Sequence, residues 1–317
     1  MDKKVILSIV IPTKNRAELL RKVLKSIENQ KGNTDHFEVI VIDNGSTDQT
    51  KQVVWEYHKK SNRYRYIFDS RPGLHVGRNR GLLESKGDLV GYLDDDVILF
   101  PNWITTVLDA FKDSDVAYVG GSVVPYDMSL LSSQFRADHE IRKGSYRYIY
   151  PISCFWEEGI SENDKRVHES PNGSFFGGNS VYRKEVLQKC RGFHPDGMPK
   201  KLQMYRGDGE TYVAKYICTH KLKAMYYAQA SVYHMIDVNR VSDSYINFMY
   251  FRNGISNMYT FLRENGVKGG VLYIQEAVSE CVYIGKVNPE FWGKLYLLIY
   301  YILYKRVRIW VHKEEYF

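Results

Sequence analysis

The first 125 residues switch repeatedly between two hydrophobic periods, and this restricts the available folds more than any other feature of the chain. Residues 7–11, 38–42, 64–68, 89–93 and 116–119 are short strand-like runs, most of them apolar on both faces. Between them Leu19, Leu20, Val23, Leu24 and Ile27 recur at helical spacing, residues 47–60 form a second helical stretch with Thr47 as N-cap, residues 76–86 a third, and a further helix follows Pro101. Strands apolar on both faces, separated by amphipathic helices, indicate parallel pairing through right-handed crossovers. The expected fold is therefore α/β: a doubly wound, mostly parallel open sheet with helices on both faces.

Ligands of such sheets bind beyond the carboxyl ends of the strands. Thr13, Asp43 and Asp94-Asp95-Asp96 stand at the ends of the first, second and fourth runs. Three adjacent carboxylates repel one another unless they stay wet, take up protons or meet a cation. The apolar Val97-Ile98-Leu99-Phe100-Pro101 that follows argues against a solvated acidic loop. A divalent cation carrying an anionic ligand fits better, and oxygen donors favour a hard ion over zinc.

From 126 to 169 no clear period is present, and the stretch reads as an irregular excursion over the sheet edge. Order returns at Gly173-Ser174-Phe175-Phe176-Gly177-Gly178-Asn179, where small residues allow close backbone approach. Helices are expected at 183–189 and 211–219, the second opened by Gly207-Asp208-Gly209-Glu210, and the chain beyond 240 reads as helical and aromatic. Four cysteines without C-x-x-C spacing read as free, mostly buried thiols in a reducing compartment. The first twelve residues lack the small-residue cleavage site of a signal peptide.

Residues 291–313 carry no acid and five bases, Lys294, Lys305, Arg306, Arg308 and Lys313. Their apolar core, 295–304, is shorter than the about 20 residues that cross a bilayer. Two readings stand for it: a helix lying in a membrane interface, and a helix packed on the rest of the protein. The net charge of +7 favours anionic partners such as nucleoside diphosphates or a membrane surface without separating them. Nucleic acid is not among the expected partners.

The ordered motifs Ser8-Ile9-Val10-Ile11-Pro12-Thr13-Lys14-Asn15-Arg16, Val41-Ile42-Asp43-Asn44-Gly45-Ser46-Thr47-Asp48, Gly77-Arg78-Asn79-Arg80-Gly81, Tyr92-Leu93-Asp94-Asp95-Asp96, Gly177-Gly178-Asn179 and Gly207-Asp208-Gly209-Glu210 resemble those of a family 2 glycosyltransferase with the GT-A fold, over residues 5–240. The resemblance implies a GT-A catalytic domain over 1–240, its nucleotide-sugar half about 1–125 and its acceptor half about 126–240, with 241–317 a basic, aromatic helical extension. It implies inverting transfer of a sugar from a nucleotide-diphosphate donor to a hydroxyl of a glycan or lipid-linked glycan, in the cytoplasm or at the inner face of the cell membrane.

By the same resemblance Pro12, Thr13, Arg16, Asp43, Arg78, Asp94 and Asp95 hold the nucleotide sugar, with Arg78 on the diphosphate or the sugar. Asp96 is the direct ligand of Mn²⁺ or Mg²⁺. His234 resembles a histidine placed beside the metal, although a lone histidine also serves as a structural residue. Gly177, Gly178 and Asn179 are acceptor-side. The family's adjacent Glu-Asp is here split by a glycine; the resemblance puts the catalytic base at Asp208, with Glu210 as the alternative. Two rivals are a noncatalytic glycan- or membrane-binding protein that keeps the fold, and a sugar nucleotidyltransferase. Pro12-Thr13-Lys14-Asn15 lacks the glycine-rich phosphate loop expected of the latter. A haloacid-type phosphatase would carry its aspartates after the first strand.

Overall fold

A computed structural model describes residues 4–32, 35–143, 146–170, 177–284 and 287–314. Its strands are β1 (Leu7–Thr13), β2 (Phe37–Asp43), β3 (Tyr64–Phe68), β4 (Leu89–Leu93), β5 (Val97–Leu99), β6 (Val116–Gly120), β7 (Val123–Pro125), β8 (Glu140–Lys143), β9 (Tyr146–Ile149), β10 (Cys154–Glu157), β11 (Val167–Glu169), β12 (Asn179–Arg183), β13 (Lys223–Tyr227) and β14 (Val232–His234). The helices are α1 (Ala17–Glu28), α2 (Thr50–Lys60), α3 (Leu74–Glu84), α4 (Trp103–Ala110), α5 (Ser133–His139), α6 (Lys184–Lys189), α7 (Glu210–Thr219), α8 (Asp243–Ile284), α9 (Pro289–Leu303) and α10 (Lys305–Val311).

The main sheet has eight strands in the order β11-β13-β6-β12-β4-β1-β2-β3. The parallel set read from the apolar runs is present: β4-β1-β2-β3 pair in parallel. Two strands break the pattern: β12 enters between β4 and β6 and runs antiparallel to both, and the edge strand β11 runs antiparallel to β13. The strand period of two sorts the core into two layers. Leu7, Ile9 and Ile11 of β1 pack with Leu20, Val23 and Leu24 of α1 and with Trp103 of α4. Val10 faces the other way, toward Leu82 of α3, Val186 of α6 and Val213 of α7. The apolar pattern of β1 thus covers both faces, as a doubly wound sheet requires.

The stretch 126–169 is more regular than its sequence indicates. Its β8, β9 and β10 join β5, β7 and β14 in a second, six-stranded sheet. Strands of three or four residues hold too little alternation for a period to be read. The first four residues of the Gly173–Gly178 segment, Gly173 to Phe176, lie outside the described residues. All four cysteines are thiols outside any disulfide, with Cys154 and Cys190 buried, Cys281 half-buried and Cys218 exposed.

The C-terminal helices form their own apolar cluster. Ile255, Met258, Tyr259 and Leu262 of α8 meet Leu297, Leu298 and Tyr301 of α9, and Val307 and Val311 of α10. Met204 and Tyr205 pack against this cluster and tie it to the rest of the chain, and Trp310 Nε1 donates to the Tyr205 carbonyl at 2.7 Å. Gly266 interrupts α8 with a φ of +61°, a conformation that costs other residues. Among the described residues no helix is long and apolar enough to cross a membrane. α8 and α9 approach so closely that a Cβ at Gly254 would fall on the Glu290 carbonyl, and one at Gly293 on the Phe251 carbonyl. Gly293→Ala should therefore force these helices apart at a cost of about 1–3 kcal/mol. Thermal unfolding checks this, and an unchanged midpoint would show that the contact is looser than described.

Candidate active site

Strand β4 ends at Leu93, and the next three residues turn before β5 begins at Val97. Asp95 is buried and accepts from Thr13 Oγ1 and from Arg16 Nη1, both at 2.7 Å. The same Arg16 nitrogen reaches Asp96 Oδ2 at 2.9 Å. Burial raises the Asp95 carboxyl, Arg16 opposes that and Asp96 reinforces it, leaving the group at about 6. Thr13 and Arg16 come from the end of β1 and the turn after it, which is why two distant motifs meet at one sheet edge.

On the other side of Asp96 stands β14. His234 Nε2 lies 3.4 Å from Asp96 Oδ1, and the Arg240 guanidinium lies 3.4 Å from Asp96 Oδ2. Arg240 Nη1 is 3.1 Å from His234 Nε2. His234 Nε2 thus faces a donor, Arg240, and an acceptor, Asp96, while its Nδ1 lies 3.5 Å from Cys154 Sγ. Asp96 Oδ1 is buried and accepts no hydrogen bond from the described residues. A buried carboxylate oxygen with spare capacity, beside an imidazole nitrogen, is a donor set that suits a divalent cation. Among the described residues no cluster of three or more His, Cys, Asp or Glu could enclose an ion. These two donors would leave the rest of a cation's coordination to ligands other than the described carboxylates and imidazoles.

Pro12, Thr13, Arg16, Asn44 and all three aspartates line a cavity of 370 Å³ at this edge. Asp43 does not line it. Its Oδ1 accepts from the Ser46 amide and its Oδ2 from the Tyr66 hydroxyl, each at 2.7 Å, and its neighbour Asn44 takes the cavity wall.

A second cavity of 330 Å³ adjoins the first, sharing Leu74, Asp94, Gly197 and Arg240 with it. Its floor is Arg78. That side chain is 3% exposed, and its Nη1 donates to Asp196 Oδ2 and Glu210 Oε2, both at 2.8 Å, while Nη2 lies 4.0 Å from Asp94 Oδ1. Instead of reaching freely into the ligand space, Arg78 is already engaged by carboxylates. Burial and Asp96 push the Asp94 carboxyl upward. Burial would raise Glu210 as well, but Arg78 outweighs it and holds that carboxyl below its ordinary range. Asp196 is pushed up to about 6, mainly by burial.

Glycines 177 and 178 line the second cavity and leave no room for side chains there. A Cβ on Gly177 would collide with the Arg78 guanidinium, and one on Gly178 would lie 2.5 Å from Asp94 Oδ2. Asn179 takes no part in the cavity. Its Oδ1 accepts from Trp103 Nε1 at 2.9 Å and its Nδ2 donates to the Ala230 carbonyl at 2.9 Å, so it locks the sheet.

The two candidate bases differ in their freedom. Asp208 also borders the cavity, but its side chain is 6% exposed and both oxygens are engaged, Oδ1 with His194 Nδ1 at 3.1 Å and Oδ2 with Thr260 Oγ1 at 2.7 Å. Glu210 is 31% exposed, opens α7 and keeps Oε1 toward Gly177. Asp196 and Arg240 escaped the sequence reading. The available signals were an Asp-Gly turn shortly before the acidic motif and a base six residues after His234.

This arrangement, a wide α/β sheet whose strand ends carry a carboxylate triplet between two adjoining cavities, defines a transferase-type site. Residues 8–191 match glycosyl transferase family 2, and the chain belongs to that family of glycosyltransferases. It is 29% identical over 215 residues to the GalNAc(5)-diNAcBac-PP-undecaprenol beta-1,3-glucosyltransferase of Campylobacter jejuni, covering 65% of this chain and 67% of that protein. It is 30% identical over 208 residues to the chondroitin synthase of Pasteurella multocida, covering 61% of this chain and only 21% of that longer protein. The fold is also that of the mannosyltransferase PcManGT from Pyrobaculum calidifontis, solved with GDP-Man and Mn²⁺, with a TM-score of 0.51, 18% identity and 98% and 84% of the two chains covered. S. aureus TarS 1–349 in complex with UDP gives a TM-score of 0.53 at 12% identity, covering 94% of this chain and 91% of that one.

Arg78→Met should leave Asp196 and Glu210 uncompensated and cost on the order of 3–5 kcal/mol. Adding Asp196→Asn should restore part of that stability. Denaturant unfolding of the single and double variants decides it, and a double variant no more stable than Arg78→Met would refute the shared ion cluster.

Proposed function

We propose that this chain is an inverting glycosyltransferase that moves a sugar from a nucleotide-diphosphate donor to a hydroxyl of a glycan or lipid-linked glycan, with Glu210 as the base. One observation carries the reading: Asp94 stands on the wall common to two cavities, with the carboxylate triplet on one side and Glu210 on the other. The donor fits the strand-end cavity, its nucleoside toward Pro12, Thr13 and Asn44 and its diphosphate toward Arg16 and Arg240. Asp94 is placed to accept hydrogen bonds from ribose or sugar hydroxyls. The acceptor enters over Gly177 and Gly178.

An acceptor oxygen attacking the anomeric carbon from the Glu210 side forms one C–O bond as the bond to the diphosphate breaks. Its proton passes to Glu210, the nucleoside diphosphate leaves, and the anomeric configuration inverts. Asp96 and His234 would hold Mn²⁺ or Mg²⁺, which supplies charge neutralisation for the departing diphosphate. The imidazole donor tilts the choice toward Mn²⁺. The acceptor class follows the similarity to the C. jejuni enzyme, whose name specifies an undecaprenol-linked glycan.

Screening nucleoside diphosphates by thermal shift, with and without Mn²⁺, identifies the donor base. With that donor, Glu210→Gln should cut turnover by about 10²–10⁴-fold while leaving nucleotide binding intact. Asp208→Asn should lose less. The reverse ranking would move the base to Asp208, and full turnover in both variants would favour the noncatalytic rival. Asp96→Asn should abolish the Mn²⁺-dependent part of the nucleotide shift.

The extension favours contact with an anionic lipid surface. Helix α9 buries Leu297, Leu298 and Tyr301 and exposes Trp292, Ile299, Ile302 and Leu303 as a stripe on its other side. Exposed Lys305 and Arg306 follow the stripe. Two of the other three bases are less available: Lys294 is buried beside Glu290, and Arg308 donates to the carbonyls of Tyr301 and Ile302. Co-sedimentation with phosphatidylglycerol vesicles should exceed that with phosphatidylcholine vesicles and fall in Ile302→Glu/Leu303→Glu. Equal binding to both vesicle types, or binding untouched by the substitutions, counts against the contact.

A further inference from the structure

Asp196 has no place in the bond-making step, yet it is built into the site. Its carboxylate is 6% exposed, too buried to meet an acceptor. Its Oδ2 shares Arg78 Nη1 with Glu210 Oε2, each at 2.8 Å, and its Oδ1 accepts no hydrogen bond from the described residues. The surroundings are shaped to keep it there. Gly209, at a φ of +53°, would bring a Cβ within 2.5 Å of Asp196 Oδ2, and the Asp196 carbonyl accepts from the Leu74 amide at 3.1 Å, fixing the turn onto the start of α3.

The charge balance explains why such a group is needed. Four guanidinium groups, from Arg78, Arg206, Arg240 and Arg252, border the cavity into which Glu210 faces. Each makes a carboxylate less willing to take a proton. The acids facing the same space are Asp94 at the end of β4, Asp208 before α7 and Asp196, with His234 on β14. Asp208 is engaged by His194 and Thr260, and Asp94 stands at the longer distance of 4.0 Å from Arg78. Among the described residues, only Asp196 and Glu210 take hydrogen bonds from the Arg78 guanidinium.

We infer that Asp196 is a positioning residue for the transfer step: by taking half of the Arg78 hydrogen bonding, it keeps Glu210 oriented by that guanidinium yet still able to accept a proton. The inference rests on the assignment of Glu210 as base. Without Asp196, both Arg78 Nη1 protons become available to Glu210, which is then bound more tightly and becomes a weaker base. Burial, opposed by Arg78 and reinforced by Glu210, brings Asp196 itself to about 6, as expected of two carboxylates competing for one guanidinium.

The test is the pH dependence of kcat for the full chain with its saturating donor. Asp196→Asn should move the acid limb to lower pH by about one unit and lower the plateau by roughly tenfold, with the donor KM little changed. Asp196→Ala, which also removes the charge but offers no amide to Glu210, should move the limb in the same direction and serves if the first variant folds poorly. A merely structural role would lower the thermal midpoint and the yield of active protein without moving the limb. An unmoved limb, or one moved to higher pH, in both variants overturns the inference. If Glu210→Gln keeps its turnover, the base assignment itself falls. If Glu210→Gln is dead while the Asp196 limb stays put, only the role given to Asp196 falls.

Discussion

One buried guanidinium organises the centre of this protein. Arg78 comes from α3, its partners Asp196 and Glu210 from segments more than a hundred residues further along the chain, and Asp94 from the end of β4. A charge that deep is tolerable only when its hydrogen bonds are satisfied by opposite charge. The requirement runs both ways: the carboxylates hold the arginine in, and the arginine fixes where the carboxylates point. The glycines at 177, 178 and 209 follow from it, since each stands where a side chain would strike a member of the cluster.

A second set of charges sits a few residues away. Arg16 spans Asp95 and Asp96, and Arg240 closes on Asp96 and His234. The two sets meet at Asp94. A substrate spanning both cavities therefore passes from a region where arginines answer a strand-end triplet to one where carboxylates answer a single arginine. That polarity matches a donor whose charge is concentrated in its diphosphate and an acceptor that has a proton to lose.

Much of this was legible before any coordinates. The apolar runs gave the strand ends, and because ligands of open sheets gather there, Thr13 and Asp94 to Asp96 could be named at once. Side-chain direction was not legible. Asp43 and Asn179 stand where expected along the chain, but Ser46, Tyr66, Trp103 and Ala230 saturate their polar atoms and turn them from the cavities. Arg78 reads as a helical surface arginine because the acids that bury it are distant in sequence. Asp196 reads as half of an Asp-Gly turn, since nothing local reveals what faces it. The second sheet escaped for a different reason: its strands are too short to show alternation.

The reversed strand β12 has a consequence for how such a site is assembled. Because it runs against β4, its beginning lies beside the end of β4, as the pairing of Asn179 with Leu93 shows. One rim of the sheet thus receives both the finish of one strand and the start of another. Gly177 and Gly178, which lead into β12, therefore meet Arg78 and Asp94 at the rim where β4 ends. In the proposed transfer, the rim that meets the acceptor is thereby built by a different strand from the one that ends in the carboxylate triplet.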